Sequence, residues 1–292
     1  MQTHYSQAQA TIQTQTLYVL ATPIGNLSDI TLRALAVLER ADLICAEDTR
    51  VTGQLLAAYG IKTKMVSVRE HNERQMVDKV ADALANDQVV VQVSDAGTPA
   101  ICDPGARLAQ AIRAKGYKVS PIVGPSAVIA ALSVAGMTSA NFYFAGFLPP
   151  KSKERQTLLQ KWQETPYTVI MYETPHRIEA ALADMLAVLG PDRRLVMARE
   201  ITKTFETFID GTVAEVLAQV SADRNQTRGE MVLILDAAAA VAQSDLSEAT
   251  EHVMKVLTSQ LPTKQAAELG SKITNENKKV LYDYALSLKK DG

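Results

Sequence analysis

The sequence predicts an α/β protein, with two α/β domains followed by a small helical C-terminal appendage. Three observations lead there. Short Val-, Ile- and Leu-rich strands alternate with amphipathic helices through the first half of the chain. Those strands stop in turns rich in Gly, Pro and Asp; the sharpest, Val93–Gly105, holds two of each. In the second half the strands follow one another more closely, and beyond Glu248 only helical patterns remain. The 292 residues exceed one typical domain.

Residues 1–16 are rich in Gln, Thr and Ala, without a basic or apolar leader segment, and read as a disordered tail. Leu17–Ala21 is a strand that breaks at Thr22-Pro23-Ile24-Gly25. Ile30–Arg40 carries Leu32, Leu35, Ala36 and Leu38 at helical spacing, with Asp29 before it. Asp42–Ala46 is a second strand, ending in Glu47-Asp48-Thr49-Arg50, and Thr52–Tyr59 is a helix stopped by Gly60. Lys64–Val68, Val89–Val93 and Tyr117–Ile122 are further strands, with helices at Met76–Leu84, Ala106–Lys115 and Ala127–Ala135. This cadence predicts a largely parallel sheet covered by helices.

After Ala135 the pattern changes. Strands are predicted at Asn141–Phe147, Thr168–Tyr172, Arg194–Ala198, Phe205–Asp210 and Glu230–Asp236. Helices are predicted from Lys151 to Trp162, at Glu179–Leu189 and at Val213–Val220, giving an α+β domain of mixed strand direction. Ala237–Ala242 reads as a linker, and Glu248–Lys289 as helices broken at Leu261-Pro262 and at Gly270. The domains are thus 17–124, 125–240 and 241–292.

Charge and cysteine content bound the function. Thirty Lys+Arg against 32 Asp+Glu leave no global basic field, so a polyanion must be held by local patches. Such patches occur at Lys151, Lys153 and Arg155, at Arg193 and Arg194, and at Arg199 and Lys203. Cys45 and Cys102 form no disulfide framework and no metal spacing, which fits reduced thiols in a cytoplasmic protein; no metal site is expected. No apolar run approaches the roughly 20 residues of a membrane helix, so a soluble protein without membrane partners is expected.

The turns carry the chemistry. Gly and Pro let backbone groups approach a ligand at the carboxyl edge of a sheet, and small residues such as Ala127 leave it room. Glu47 and Asp48 project from the same edge, as a base pair of carboxylates or as an acidic helix start; Arg50 beside them can hold their charge or a phosphate. Lys203 follows a strand of the second half and reads as a hydroxyl- or phosphate-orienting group or as a surface ion pair. His71 and His176 lie in charged loops and suit hydrogen bonding or phosphate contact better than catalysis.

Several segments also carry a family resemblance: LYVLATPIGNLSDITLRAL (17–35), AEDTR (46–50), REHNE (69–73), VSDAGTPAICDPG (93–105) and PIVGPSA (121–127), then FAGFLPPKSKER (144–155), YETPHR (172–177), AREITKTFE (198–206) and RGEMVLI (228–234). The chain resembles the bacterial small-subunit ribosomal RNA methyltransferases that modify a cytidine 2′-hydroxyl, which share the fold of the tetrapyrrole (precorrin and uroporphyrinogen) methylases. That resemblance implies S-adenosylmethionine bound in a cleft between two α/β domains, a ribosomal RNA or small-subunit substrate, and a homodimer. It implies a cofactor set of Pro23, Ile24, Gly25, Asp95, Gly97, Thr98, Ile101, Ser126, Ala127 and Tyr172. The charged residues after these strands, Asp48, Glu47, Arg50, Lys203 and Arg199, are the expected catalytic set, with Asp48 the foremost base because the resemblance implies an acid facing the cleft at its position. Two other readings stand beside it: a tetrapyrrole or protein methylase of the same fold, and a non-catalytic RNA-binding assembly factor. The C-terminal residues resemble a helix-turn-helix, with a structural or interaction module the other reading.

Overall fold

The computed structural model describes residues 2–69, 72–238 and 246–288. The chain divides into two compact units, Met1–Ala238 and Ala239–Gly292, and both sheets lie in the first.

The first sheet contains β1 (Thr16–Leu20), β2 (Leu43–Ala46), β3 (Met65–Ser67), β4 (Val89–Val93) and β5 (Lys118–Ile122). Their order is β3-β2-β4-β1-β5, and every pairing is parallel. The near-continuous apolar runs follow from burial on both faces. Tyr18, Leu20, Ile44 and Val91 face α2 (Leu32–Arg40) and α3 (Thr49–Ala58). Leu17, Cys45 and Val90 face α4 (Glu73–Ala85) and α5 (Ala106–Ala114). Thr31 caps α2 by accepting from Ala34 N, and buried Glu73 accepts from Leu108 N in the first turn of α5 at 2.8 Å.

The second sheet contains β6 (Phe142–Phe147), β7 (Thr168–Glu173), β8 (Arg194–Arg199), β9 (Thr207–Thr212) and β10 (Met231–Leu235), in the order β6-β7-β10-β8-β9. Only β6 and β7 run parallel. Helix α6 (Ala127–Val134) covers one face through Val128 and Ala131; α7 (Ser152–Gln160), α8 (Ile178–Leu189) and α9 (Val213–Ala222) cover the other. Thr212 and Glu215 form a reciprocal capping box at the start of α9.

Residues 2–16 differ from the expected disordered tail. Gln2–Ala10 form α1, whose Tyr5 and Gln9 donate to Glu39 of α2 at 2.6 and 2.9 Å, and Ile12 packs on the core behind it. A Gln- and Ala-rich segment has adequate helix propensity once it has a neighbour to lie on.

The second unit has α10 (Glu248–Gln260), α11 (Thr263–Thr274) and α12 (Lys278–Ser287) around Met254, Ala266, Ala267, Leu281 and Ala285. Gly270 does not break the helix as expected but lies inside α11, where a Cβ would overlap Met254 Sδ. The glycine serves close helix approach; the stop is Asn275, left-handed at φ 59°. The linker at 237–242 lies mostly outside the described residues, as do His71 and Lys289. Among the described residues no helix is long and apolar enough to cross a membrane.

Candidate active site

Strands β4 and β5 flank β1, so the turns after these three strands emerge side by side at the carboxyl edge. They are fastened to one another. Thr22 N donates to Gly97 O and Gly97 N donates to Thr22 O, both at 2.9 Å, while Thr98 Oγ1 donates to Pro125 O at 3.1 Å. Gly97 sits at φ 75°, and a Cβ there would lie 3.4 Å from Ile24 Cγ2. Ala100 and Cys102 also adopt left-handed φ values, 69° and 66°, where side chains are disfavoured.

Between this edge and the second sheet lies a cleft of about 280 Å³. Ile24, Gly97, Thr98, Ile101, Ser126 and Ala127 line its first-sheet side. Phe147, Tyr172, Ile201 and the segment Gly229–Val232 line the opposite side. The β6–β7 register shifts between Phe144 and Phe147, which sets both phenyl rings against Tyr172 at centroid distances of 5.1 and 5.3 Å. Burial, with the negative groups around it, pushes the Tyr172 phenol up to about 12, so it stays neutral.

The loop after β8 ties the two sides together. Thr202 Oγ1 donates to Asp29 Oδ2 at 2.6 Å, and the stem of Lys203 lies where a side chain on Gly25 would be. Lys203 Nζ bridges Glu200 and Glu230 at 2.8 and 3.0 Å.

Of the expected cofactor set, Pro23, Gly25 and Asp95 do not line the cleft. Asp95 Oδ1 instead accepts from Asp48 N at 3.0 Å, which joins the ends of β2 and β4. The expected catalytic set lies outside the cleft wall as well. Asp48 caps α3 and accepts from Arg50 through its backbone N, Nε and second guanidinium nitrogen, with Arg69 3.6 Å away. Those hydrogen bonds from Arg50 hold its carboxyl well below the usual carboxylate range, so it is a weak base. The Arg50 side chain is exposed and engaged with Asp48. Arg199 is buried and braces the loops through Gln226, Arg228 O, Phe205 O and Thr207.

Three carboxylates on the wall escape the sequence reading: Asp103, Glu173 and Glu230. Burial and the neighbouring Glu47 push Asp103 up to about 6. Burial also raises Glu47, whose Oε2 accepts from Asp95 N at 3.4 Å. The only sequence signal for Asp103 was an acid in a Gly/Pro turn.

The arginines of the expected basic patches are engaged within the fold. Arg155 is buried against Asp184, with Nε to Oδ2 at 2.7 Å, and also donates to Pro149 O. Arg193 donates to Asp236 O and Gln163 O, while Arg194 pairs with Asp210 and donates to Ala135 O and Gly136 O. Lys151 and Lys153 are exposed at the start of α7, where Lys151 makes a solvent-exposed pair with Glu154 at 3.0 Å.

Residues 16–217 match the family model Tetrapyrrole (Corrin/Porphyrin) Methylases. The chain belongs to that family. Residues 244–289 match a second model, RsmI C-terminal HTH domain. Ribosomal RNA small subunit methyltransferase I of Neisseria meningitidis serogroup B (strain ATCC BAA-335 / MC58) is 63% identical over 288 residues, 99% of each chain. The protein of the same name from Escherichia coli O157:H7 is 46% identical over 92% of this chain and 94% of its own. Among solved structures, the cobalt precorrin-4 methyltransferase CbiF superposes with TM-score 0.56 at 17% identity, over 76% of this chain and 95% of its own. Uroporphyrin-III C-methyltransferase from Thermus thermophilus, complexed with S-adenyl homocysteine, gives 0.53 at 18% identity, over 76% and 96%. At those identities the two structures share the fold.

Proposed function

We propose that the cleft binds S-adenosylmethionine and that the protein transfers its methyl group to a cytidine 2′-hydroxyl of small-subunit ribosomal RNA, in the cytoplasm. The observation that carries the reading is one cleft lined by residues from separate sequence motifs, Ile24, Gly97, Ser126 and Tyr172 among them. Its support from relatives is the 63% identity to a ribosomal RNA small subunit methyltransferase I.

The wall chemistry fits that cofactor. Apolar Ile24 and Ile101 with aromatic Phe147 and Tyr172 suit a flat base, small Ala96, Gly97 and Ala127 leave space, and acidic Glu230 suits a ligand that carries cationic groups. When bound, S-adenosylmethionine supplies a methyl group already activated by its sulfonium. The protein's task is then alignment and disposal of one proton. The tied turns after β1, β4 and β5 hold the first-sheet side of the cleft in one geometry.

Incubation with labelled S-adenosylmethionine and small ribosomal subunits lacking the modification tests the reading. Label is expected in an alkali-resistant dinucleotide containing cytidine, because a methylated 2′-oxygen cannot attack its own phosphodiester. Label confined to protein, or absent from both subunits and naked RNA, would refute it.

For the RNA, the exposed Lys151 and Lys153 are the proposed phosphate contacts. Charge reversal of both is expected to weaken substrate binding and to lower its log–log salt slope by about 1–2, while cofactor affinity holds. Filter binding across a salt series, with calorimetry of the cofactor, reads both quantities. A homodimer is part of the proposal, supported by the exposed Ile129 and Val134 on the outer side of α6. Sedimentation equilibrium decides it.

A further inference from the structure

The methyl-transfer reading requires a group to take the hydroxyl proton, and the residues expected to do so are held away from the cleft. We propose that Asp103, in the turn after β4, is that catalytic base. This rests on the methyl-transfer function above.

Three acids on the cleft wall compete for the role. Glu173 Oε1 accepts from Arg177, 2.6 Å away, and from Thr174 N; Oε2 has no partner among the described residues, but the side chain is fully buried, out of reach of a polynucleotide. Glu230 lies 3.0 Å from the Lys203 ammonium. The charges that act on Asp103 are those of other acids instead: Glu47 from the end of β2 and Asp95 from its own turn. Its neighbours Cys102 and, on β7, Tyr172 are neutral acids that it raises in turn. The left-handed residues Ala100 and Cys102 fix the path of the turn just before it.

These surroundings suit a base. Burial and the charge of Glu47 bring Asp103 to about 6, so near neutral pH it is ionised yet still proton-seeking. Asp48, with two guanidinium groups at its carboxylate, has the opposite setting. In the step, Asp103 accepts the ribose hydroxyl proton and the O–H pair stays on oxygen. That oxygen forms the new O–C bond as the C–S bond breaks, its pair neutralising the sulfonium to a thioether. The proton on Asp103 then leaves to water.

Single-turnover methyl transfer between pH 5 and 8.5 tests the assignment, in the wild type and in Asp103→Asn. The wild-type rate is expected to fall about tenfold per pH unit below about 6 and to be flat above it. Asp103→Asn is expected to lose about 10²- to 10⁴-fold at pH 8 and to lose the acid limb. Cofactor affinity by calorimetry should change by less than about threefold. Thermal stability gives a readout independent of catalysis. A carboxyl raised on folding contributes stability at low pH that is lost as pH rises through its folded value, so Asp103→Asn should gain melting temperature relative to wild type from pH 5 to pH 8. An acid limb that survives in Asp103→Asn, or loss of cofactor binding in that variant, overturns the assignment. A wild type that binds cofactor but methylates neither subunits nor RNA instead overturns the function it rests on.

Discussion

Gly97→Val is expected to lower affinity for S-adenosylmethionine at least about 100-fold, equivalent to about 2.7 kcal/mol. The backbone at Gly97 is left-handed at φ 75°, a conformation in which a β-branched residue is a genuine outlier. Both its N–H and its carbonyl are bonded to Thr22, so the backbone cannot rotate to relieve the strain without undoing the tie between two turns. The added methyl groups extend from a Cβ already 3.4 Å from Ile24 Cγ2, on the wall of the cleft. Calorimetric titration measures the effect; binding within threefold of wild type would mean that the turn does not touch the ligand.

Asp184→Ala is expected to cost the first unit about 3–5 kcal/mol, lowering its melting temperature by roughly 6–20 °C. Its partner Arg155 has a side chain only 3% exposed, and removal of the carboxylate leaves that guanidinium buried with backbone carbonyls alone. Burial works against the Asp184 charge, but hydrogen bonds from Gln156, Ser152 and Arg155 outweigh it and lower its proton affinity. The contribution is therefore complete above the ordinary Asp range and is lost as pH falls through the lowered value. Combined replacement, Arg155→Met with Asp184→Leu, is expected to recover most of the loss, because the desolvation of two charges goes with them. Differential scanning calorimetry distinguishes a costly unpaired charge from a pair that was stabilising throughout.

Local pattern made most of the fold legible. Val89–Val93 is a strand because it is β-branched, short and closed by a Gly/Pro turn, and the structure has β4 there. The cleft was legible wherever a residue's role is its backbone: Gly97, Thr98 and Ser126 line it because turns after adjacent parallel strands must meet at one edge. Charged side chains were less legible, since their role depends on partners distant in sequence. Arg155 reads as an RNA contact until Asp184 of α8 is found against it. Asp48 reads as a base until Arg50 folds back on it, and Asp103 reads as a turn residue until Glu47 and burial surround it. Gly270 lies inside a helix that it is expected to end, because a glycine that breaks a helix and one that admits a neighbouring helix look the same in one dimension.

The central place of β1 bears on how the chain reaches this state. It is the first strand of its sheet to be synthesised, yet its partners are β4, paired Thr16 to Val89, and β5, paired Thr16 to Lys118. Only β2 and β3 find each other over a short span, Ile44 to Met65. Closing the longer loops costs entropy before any ladder bond repays it, which places this sheet among slowly folding topologies. During synthesis β1 therefore waits without a strand beside it until the chain has grown past Val93. The Thr22–Gly97 tie closes the same span of chain as that pairing, so the cleft and the sheet share one loop-closure cost.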